Sequence, residues 1–330
     1  MRRGVLFLAV LAGALLVPAA PASAHGGEAP DATAYRIEVT GLSVAAPGLT
    51  VRVVEAGARL ELTNDTGRTV EVLGYSGEPY LEVRPDGTYQ NVNSPAAYTN
   101  RTLGGDTPVP SNAGPAAAPQ WDRISGDRTV RWHDQRIRWA GADPPPEAAA
   151  DPSRPHKLRD WSVPLRQGVT TFAATGTLTW EPPPPAWAWW AGAIVLAAGV
   201  TAAGLRLRRG IGAVAVVAGT IALAYAVTRT TVGVGGQAPA IGAAAIAVAA
   251  GVLTLRGGTP FVLVVGGAAL AVFGGLADAG VFTQAVVDFP GPGWAARAAV
   301  LFAIGAGAGV GATGALRLRS PAPAPISSDA

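Results

Sequence analysis

Phe172-Ala173-Ala174-Thr175-Gly176-Thr177-Leu178-Thr179-Trp180-Glu181-Pro182-Pro183-Pro184-Pro185-Ala186-Trp187-Ala188-Trp189-Trp190 passes from one kind of protein to another. Phe172, Ala174, Leu178 and Trp180 alternate with small or polar residues, the period of a half-buried β-strand. The four prolines that follow can join neither a sheet interior nor a helix interior, so residues 182–186 read as a short stiff spacer. After them begins an apolar run flanked by tryptophans, the pattern of a helix entering a bilayer. Residues 25–181 and residues 187–318 are therefore expected to fold in different solvents.

Toward the N-terminus the strand pattern repeats. Tyr35, Ile37 and Val39 alternate with polar residues, as do Val51 and Val53, Leu60 and Leu62, and Val70 and Val72. Asn64-Asp65-Thr66-Gly67 and Pro85-Asp86-Gly87 carry hairpin-turn chemistry. Short strands at this spacing predict an antiparallel β-sandwich, immunoglobulin-like or cupredoxin-like. Residues 104–120 and 141–156 are rich in Pro, Ala and Gly and read as long loops. The chain has no cysteine, so burial alone must hold this domain; about 150 residues can bury roughly two thirds of their unfolded surface.

Toward the C-terminus five windows approach the ~20 apolar residues that a helix needs to cross ~30 Å of hydrocarbon. They are Trp187–Leu205, Ile211–Thr228, Pro239–Leu255, Pro260–Ala277 and Trp294–Leu316, which predicts an α-helical membrane bundle of about five helices and a tail over residues 319–330. This half contains no His, Cys, Met, Lys or Glu, and so offers no haem ligand, soft-metal path or histidine proton relay. Gly305, Gly307, Gly309 and Gly311 provide small-xxx-small spacings for close helix packing, within the bundle or between copies.

Residues 1–24 read as a signal peptide: Arg2 and Arg3, an apolar stretch from Val5 to Val17, then Ala22-Ser23-Ala24 as the cleavage motif. Export of residues 25–181 would place the loops after spans one, three and five in the cytoplasm. Those loops hold Arg206, Arg208, Arg209, Arg256, Arg317 and Arg319, against Arg229 and Arg297 on the other side, which is the expected positive-inside bias. The expected location is the plasma membrane, with the sandwich outside and the C-terminus cytoplasmic. The net charge is +3, including Arg2 and Arg3, so a processed chain is near neutral and gives no basic footprint for nucleic acid.

Cleavage after Ala24 would expose His25, whose amine and imidazole can chelate one metal. The densest chemistry lies in Arg131-Trp132-His133-Asp134-Gln135-Arg136-Ile137-Arg138-Trp139. One reading makes His25, His133, Asp134 and His156 ligands of a metal. With no thiolate or thioether available, nitrogen and oxygen donors suit Cu(II). The other makes Arg131, Trp132, Arg136, Arg138 and Trp139 a contact surface for another membrane or envelope protein, with Trp132 and Trp139 packing the core edge. Gly-x-Ser-x-Gly and His-Glu-x-x-His are both absent, and no cysteine nucleophile exists, so an enzyme is not expected.

The segments Arg52–Asn64, Gly77–Val83, Asn91–Pro95 and Trp132-His133-Asp134 resemble those of a family of uncharacterised actinobacterial envelope proteins. That resemblance implies a cleaved signal, a β-rich outer domain and C-terminal membrane helices, without a settled activity. The histidine after the cleavage site and the sandwich also resemble the copper-resistance CopC family. That resemblance implies Cu(II) held by His25 with Asp134 and either His133 or His156. Gln135 and Arg138 stand where related envelope proteins have further histidines.

Overall fold

The computed structural model describes residues 34–141 and 143–319. Residues 1–24, read above as a signal peptide, His25 and residues 320–330 lie outside the described residues. Among the described residues the chain forms ten strands followed by the long helices, and all strand pairs are antiparallel. The strands are β1 (Tyr35–Leu42), β2 (Leu49–Val54), β3 (Arg59–Asn64), β4 (Val70–Leu73), β5 (Pro79–Arg84), β6 (Gly87–Asn91), β7 (Trp121–Ser125), β8 (Thr129–Trp132), β9 (His156–Gln167) and β10 (Thr170–Trp180). Seven form one sheet in the order β1-β10-β9-β4-β5-β6-β7, and three form a second, β2-β3-β8.

Alternation turns one face of each strand inward. Leu60 and Leu62 of β3 and Trp132 of β8 meet Val70, Val72, Leu81, Val83, Val163, Leu165 and Leu178 of the larger sheet in one core. Each such side chain, fully buried, contributes about 1.5–3 kcal/mol of transfer free energy. Gly176 sits in β10 where Trp161 crosses the strand; a Cβ there would lie 2.1 Å from the Trp161 ring, and the indole donates to Thr177 O at 3.1 Å.

Pro85-Asp86-Gly87 joins β5 to β6 as expected, with Arg84 opposite Gly87. Asn64–Gly67 differs. The expectation there was a hairpin, but β3 and β4 belong to different sheets. The buried Asn64 amide explains the switch: its Nδ2 donates to Arg68 O and Val83 O, both at 2.7 Å, and its Oδ1 accepts from Thr66 N and Oγ1. The side chain stitches the chain across to β5 instead of closing a ladder. Residues 141–156 hold a helical turn, Pro146–Ala150, with Ala148 buried.

The long helices are α1 (Ala186–Arg206), α2 (Ile211–Thr231), α3 (Ala238–Leu255), α4 (Pro260–Phe273) and α5 (Gly293–Arg319). Four are long and apolar enough to cross a membrane. The fourth window is not one straight helix: α4 ends at Gly274-Gly275 and continues as a 3-10 segment, Leu276–Phe282, bent by 42°. Two adjacent glycines weaken the helix at that point. Counted as one broken span, the pair makes five.

The glycine stripe of α5 is used inside the bundle. A Cβ on Gly305 or Gly309 would strike α1, at Ala193 O and Val200, while one on Gly307 or Gly311 would approach α4 near Ala271 and Gly267. The stripe therefore packs neighbouring helices and is not held open for a second copy. Large apolar residues such as Ile194, Val195, Val217 and Phe261 point outward, as a lipid-facing surface requires. At the end of the bundle away from the sheets, Arg317 donates to Arg208 O and Leu207 O, and Arg209 approaches Gly257. Arg206, Arg208, Arg209, Arg256, Arg317 and Arg319 thus share one end.

Candidate functional site

The Arg131–Trp139 segment leaves β8, passes through His133 and Asp134, and makes a 3-10 turn at Gln135–Ile137. Asp134 starts that turn, with its Oδ1 accepting from Arg136 N at 3.1 Å. The carboxylate also takes Trp132 Nε1 at 3.0 Å and a bidentate Arg136 at 2.8 and 2.7 Å. Arg136 then reaches Leu73 O and Gly74 O and lies over the Tyr75 ring. Its guanidinium pins the turn to the end of β4. Burial, with the Asp134 charge second, pushes the Tyr75 phenol up to about 12, so it stays neutral as it accepts from Gln135 N.

These residues are folded inward. Trp132 lies in the core, and Trp139 packs against it with its indole donating to Asp143 O. Arg138 donates to Gln135, and Arg131 approaches the helical part at Gly233. The contact surface expected from Arg131, Trp132, Arg136, Arg138 and Trp139 is thus largely spent on internal bonds.

The described members of the copper donor set, His133, Asp134 and His156, do not converge. His133 is buried with Nδ1 2.9 Å from Ala58 O, and its Nε2 faces Arg59 Nε at 3.2 Å. The lone pair that would bind a metal is aimed at a cation. Both Asp134 oxygens are held by Arg136 and Trp132. His156, expected in a loop, opens β9 opposite Trp180, with Nε2 2.7 Å from Asp151 O. Among the described residues no three His, Cys, Asp or Glu side chains are placed to hold a metal ion. His25 lies outside the described residues.

A charged row that alternation hid runs across the smaller sheet. Register sets Arg52, Glu61 and Arg131 side by side on β2, β3 and β8. Glu61 accepts from Arg52 at 2.5 Å and from Arg131 at 2.6 Å while only 4% of its side chain is exposed. Burial works to raise the Glu61 pKa, but the two guanidinium hydrogen bonds outweigh it and hold the carboxyl below its usual range. Glu55 adds contacts to Arg59 at 3.5 Å and Arg131 at 3.9 Å. The sequence signal was a charged residue between two core leucines, Leu60-Glu61-Leu62, whose partners only register reveals.

This row faces the bundle. Glu55 and Ala56 take left-handed backbone angles, φ 55° and 51°, a conformation that costs non-glycine residues on the order of 1 kcal/mol each. The turn presents the Ala56 amide to Asp288, in the segment before α5. Burial raises the pKa of Asp288, against the pull of Arg229 and the Ala56 hydrogen bond. Arg131 approaches Gly233, just beyond α2. Between these contacts lies a cleft of about 280 Å³ lined by Arg36, Arg52, Val53, Val287, Asp288 and Phe289.

The larger sheet's two edges differ. β1 borders this cleft, while β7 pairs, among the described residues, only with β6. Beside β7, Arg84 lies 3.8 Å from the Tyr89 ring centre and 5.6 Å from that of Trp121, and Ile124 is half exposed. Comparison of the chain with protein-family models, with curated proteins and with solved structures found no match.

Proposed function

We propose that this is a cell-envelope protein that presents a β-sandwich domain, immunoglobulin-like or cupredoxin-like, on the outer surface of the plasma membrane for contact with another envelope macromolecule. The mounting supports this reading: Asp288 and Gly233 of the helical part meet Ala56 and Arg131 of the smaller sheet. These contacts set β1 toward the bundle. The β7 edge stands six strand spacings from β1, roughly 29 Å at ~4.8 Å per strand. An unpaired edge beside an Arg–aromatic row is a contact surface of the kind proteins use for strand addition and aromatic anchoring. The arginine asymmetry supports the outward orientation, and the resemblance to actinobacterial envelope proteins agrees with it. Copper handling gains no support from the donor geometry.

The absence of cysteine makes the test direct. In intact cells an impermeant maleimide should label Val169→Cys and Ile124→Cys but not Arg256→Cys. A photoactivatable crosslinker on Ile124→Cys should capture a non-self species that the same reagent on Val169→Cys does not. Labelling of Arg256→Cys would invert the topology, and identical crosslinks at both sheet positions would remove the β7 contact surface.

A further inference from the structure

Where the proline spacer enters the bundle, a groove of about 400 Å³ opens between α1 and α5, lined by Pro184, Pro185, Ala188, Trp189, Arg297 and Leu301. All but one of these residues are apolar. The exception, Arg297, is 9% exposed. Its Nε donates to Val281 O at 3.0 Å, and its Nη2 donates to Gln284 O at 2.6 Å and Ala285 O at 3.0 Å. These bonds hold the broken end of the fourth span. Nη1 makes no hydrogen bond among the described residues, and no carboxylate among them forms an ion pair with this guanidinium. By contrast Arg229, at the same end of the bundle, is paired with Asp278.

An unneutralised guanidinium in apolar surroundings is costly and marks a site for an anion. Two further features give the groove positive character. The N-termini of α1 and α5 lie here, and each carries the positive end of a helix dipole. Leu301 sits one turn along α5 from Arg297, packed on Gly192 of α1, so an apolar wall continues from the cation toward the middle of the helices. Trp189 flanks the mouth at the level where indoles favour the headgroup region. A cation at headgroup level over an apolar wall matches a molecule with a phosphate at one end and an acyl chain at the other.

We infer that this groove is a binding site for one phospholipid, its phosphate accepting from Arg297 Nη1 and an acyl chain lying along Leu301. A bound lipid would tie the spacer to the first turn of α5. The site is separate from the β7 surface, so either can fail without the other.

The test is native mass spectrometry of the full-length protein in detergent, titrated with phosphatidylglycerol or with dioleoylglycerol, which has the same chains and no phosphate. The wild type should hold one phosphatidylglycerol at least about tenfold more tightly than the diglyceride, the worth of one charge-assisted hydrogen bond. Millimolar inorganic phosphate should not displace it. Arg297→Gln should abolish the preference, but it also loosens the segment over 281–285. Ala188→Trp therefore serves as the second variant, filling the groove while leaving the Arg297 carbonyl bonds in place; it should weaken retention about tenfold. Equal retention of the two lipids, undiminished retention by Ala188→Trp, or displacement by free phosphate would each overturn the assignment.

Discussion

The sheet domain and the helical bundle are packed with different weight on large and small residues. In the sheets the interior is filled by large side chains, with Leu60, Leu62, Leu81, Leu165 and Leu178 fully buried and two tryptophans, Trp132 and Trp161, beside them. In the bundle the closest helix crossings are made by glycine and alanine, with backbones in contact at Gly212–Gly251 and Gly267–Gly307; a few large side chains, Phe282, Ile211, Leu263 and Leu270, are buried between them, and many others stand outside. Water drives leucines together, but lipid is as apolar as leucine and gives no such drive. Helices there gain from close backbone approach instead. An outward-facing large side chain on the helices should therefore contribute far less than a core leucine of the sheets.

Truncation should show the largest contrast. Leu165→Ala empties part of a packed core shared by two sheets and should cost about 2–5 kcal/mol. Val195→Ala, on the outward face of α1, exchanges one lipid contact for another and should stay within about 0.5 kcal/mol. Thermal unfolding of both variants in the same detergent measures the difference. Similar losses would mean that the outward face of α1 is buried by protein.

Addition of a methyl group tests the close helix approach in the bundle. An alanine normally favours a helix over glycine by about 1 kcal/mol. At Gly267 the new Cβ would lie 2.3 Å from Gly311 N and 2.5 Å from Gly307 O, so α4 and α5 must part. Gly267→Ala should therefore destabilise, by about 1–3 kcal/mol, as read from the temperature at which helical circular dichroism is lost. A stabilising result would show that the two helices can separate freely.

Legibility from sequence followed the same division. Alternation located β1, β2, β3, β4 and β10 because each has one face in the core, and Pro85-Asp86-Gly87 marked its hairpin because that turn is local. Asn64–Gly67 was misread because its outcome depends on where the buried Asn64 amide finds acceptors, at Arg68 and at the distant Val83. His156 was placed in a loop because the partner that makes it a strand residue, Trp180, is far along the chain. In the bundle, hydrophobic length located every helix, and the weak point of the fourth span was written in Gly274-Gly275. The candidate sites were least legible. His133 and Asp134 looked like ligands, yet their donors and acceptors are consumed by Arg59, Ala58, Trp132 and Arg136. The row Arg52–Glu61–Arg131 was invisible until three strands were in register.

Two carboxylates at the join between the regions give the smallest and most pointed test, because burial and partners set them in opposite directions. Glu61 is held below its ordinary 4.5 by Arg52 and Arg131, which outweigh its burial. Folding thus favours its ionised form; its contribution is present above pH 4.5 and fades as pH falls through the lower folded-state value. Glu61→Gln should remove that acid-sensitive limb. Asp288 is raised above its ordinary 3.8, chiefly by burial. The folded protein holds this proton more tightly than the unfolded chain, so its contribution is present below pH 3.8 and lost as pH rises through the raised value. At pH 7 the ionised Asp288 is a small liability. Asp288→Asn keeps an oxygen for the Ala56 amide and should raise stability at pH 7, within about 1 kcal/mol, with no gain at pH 3. Melting curves of both variants from pH 3 to pH 8 measure this. A gain from Asp288→Asn that did not depend on pH would show that the join between sheets and bundle responds to shape and not to charge.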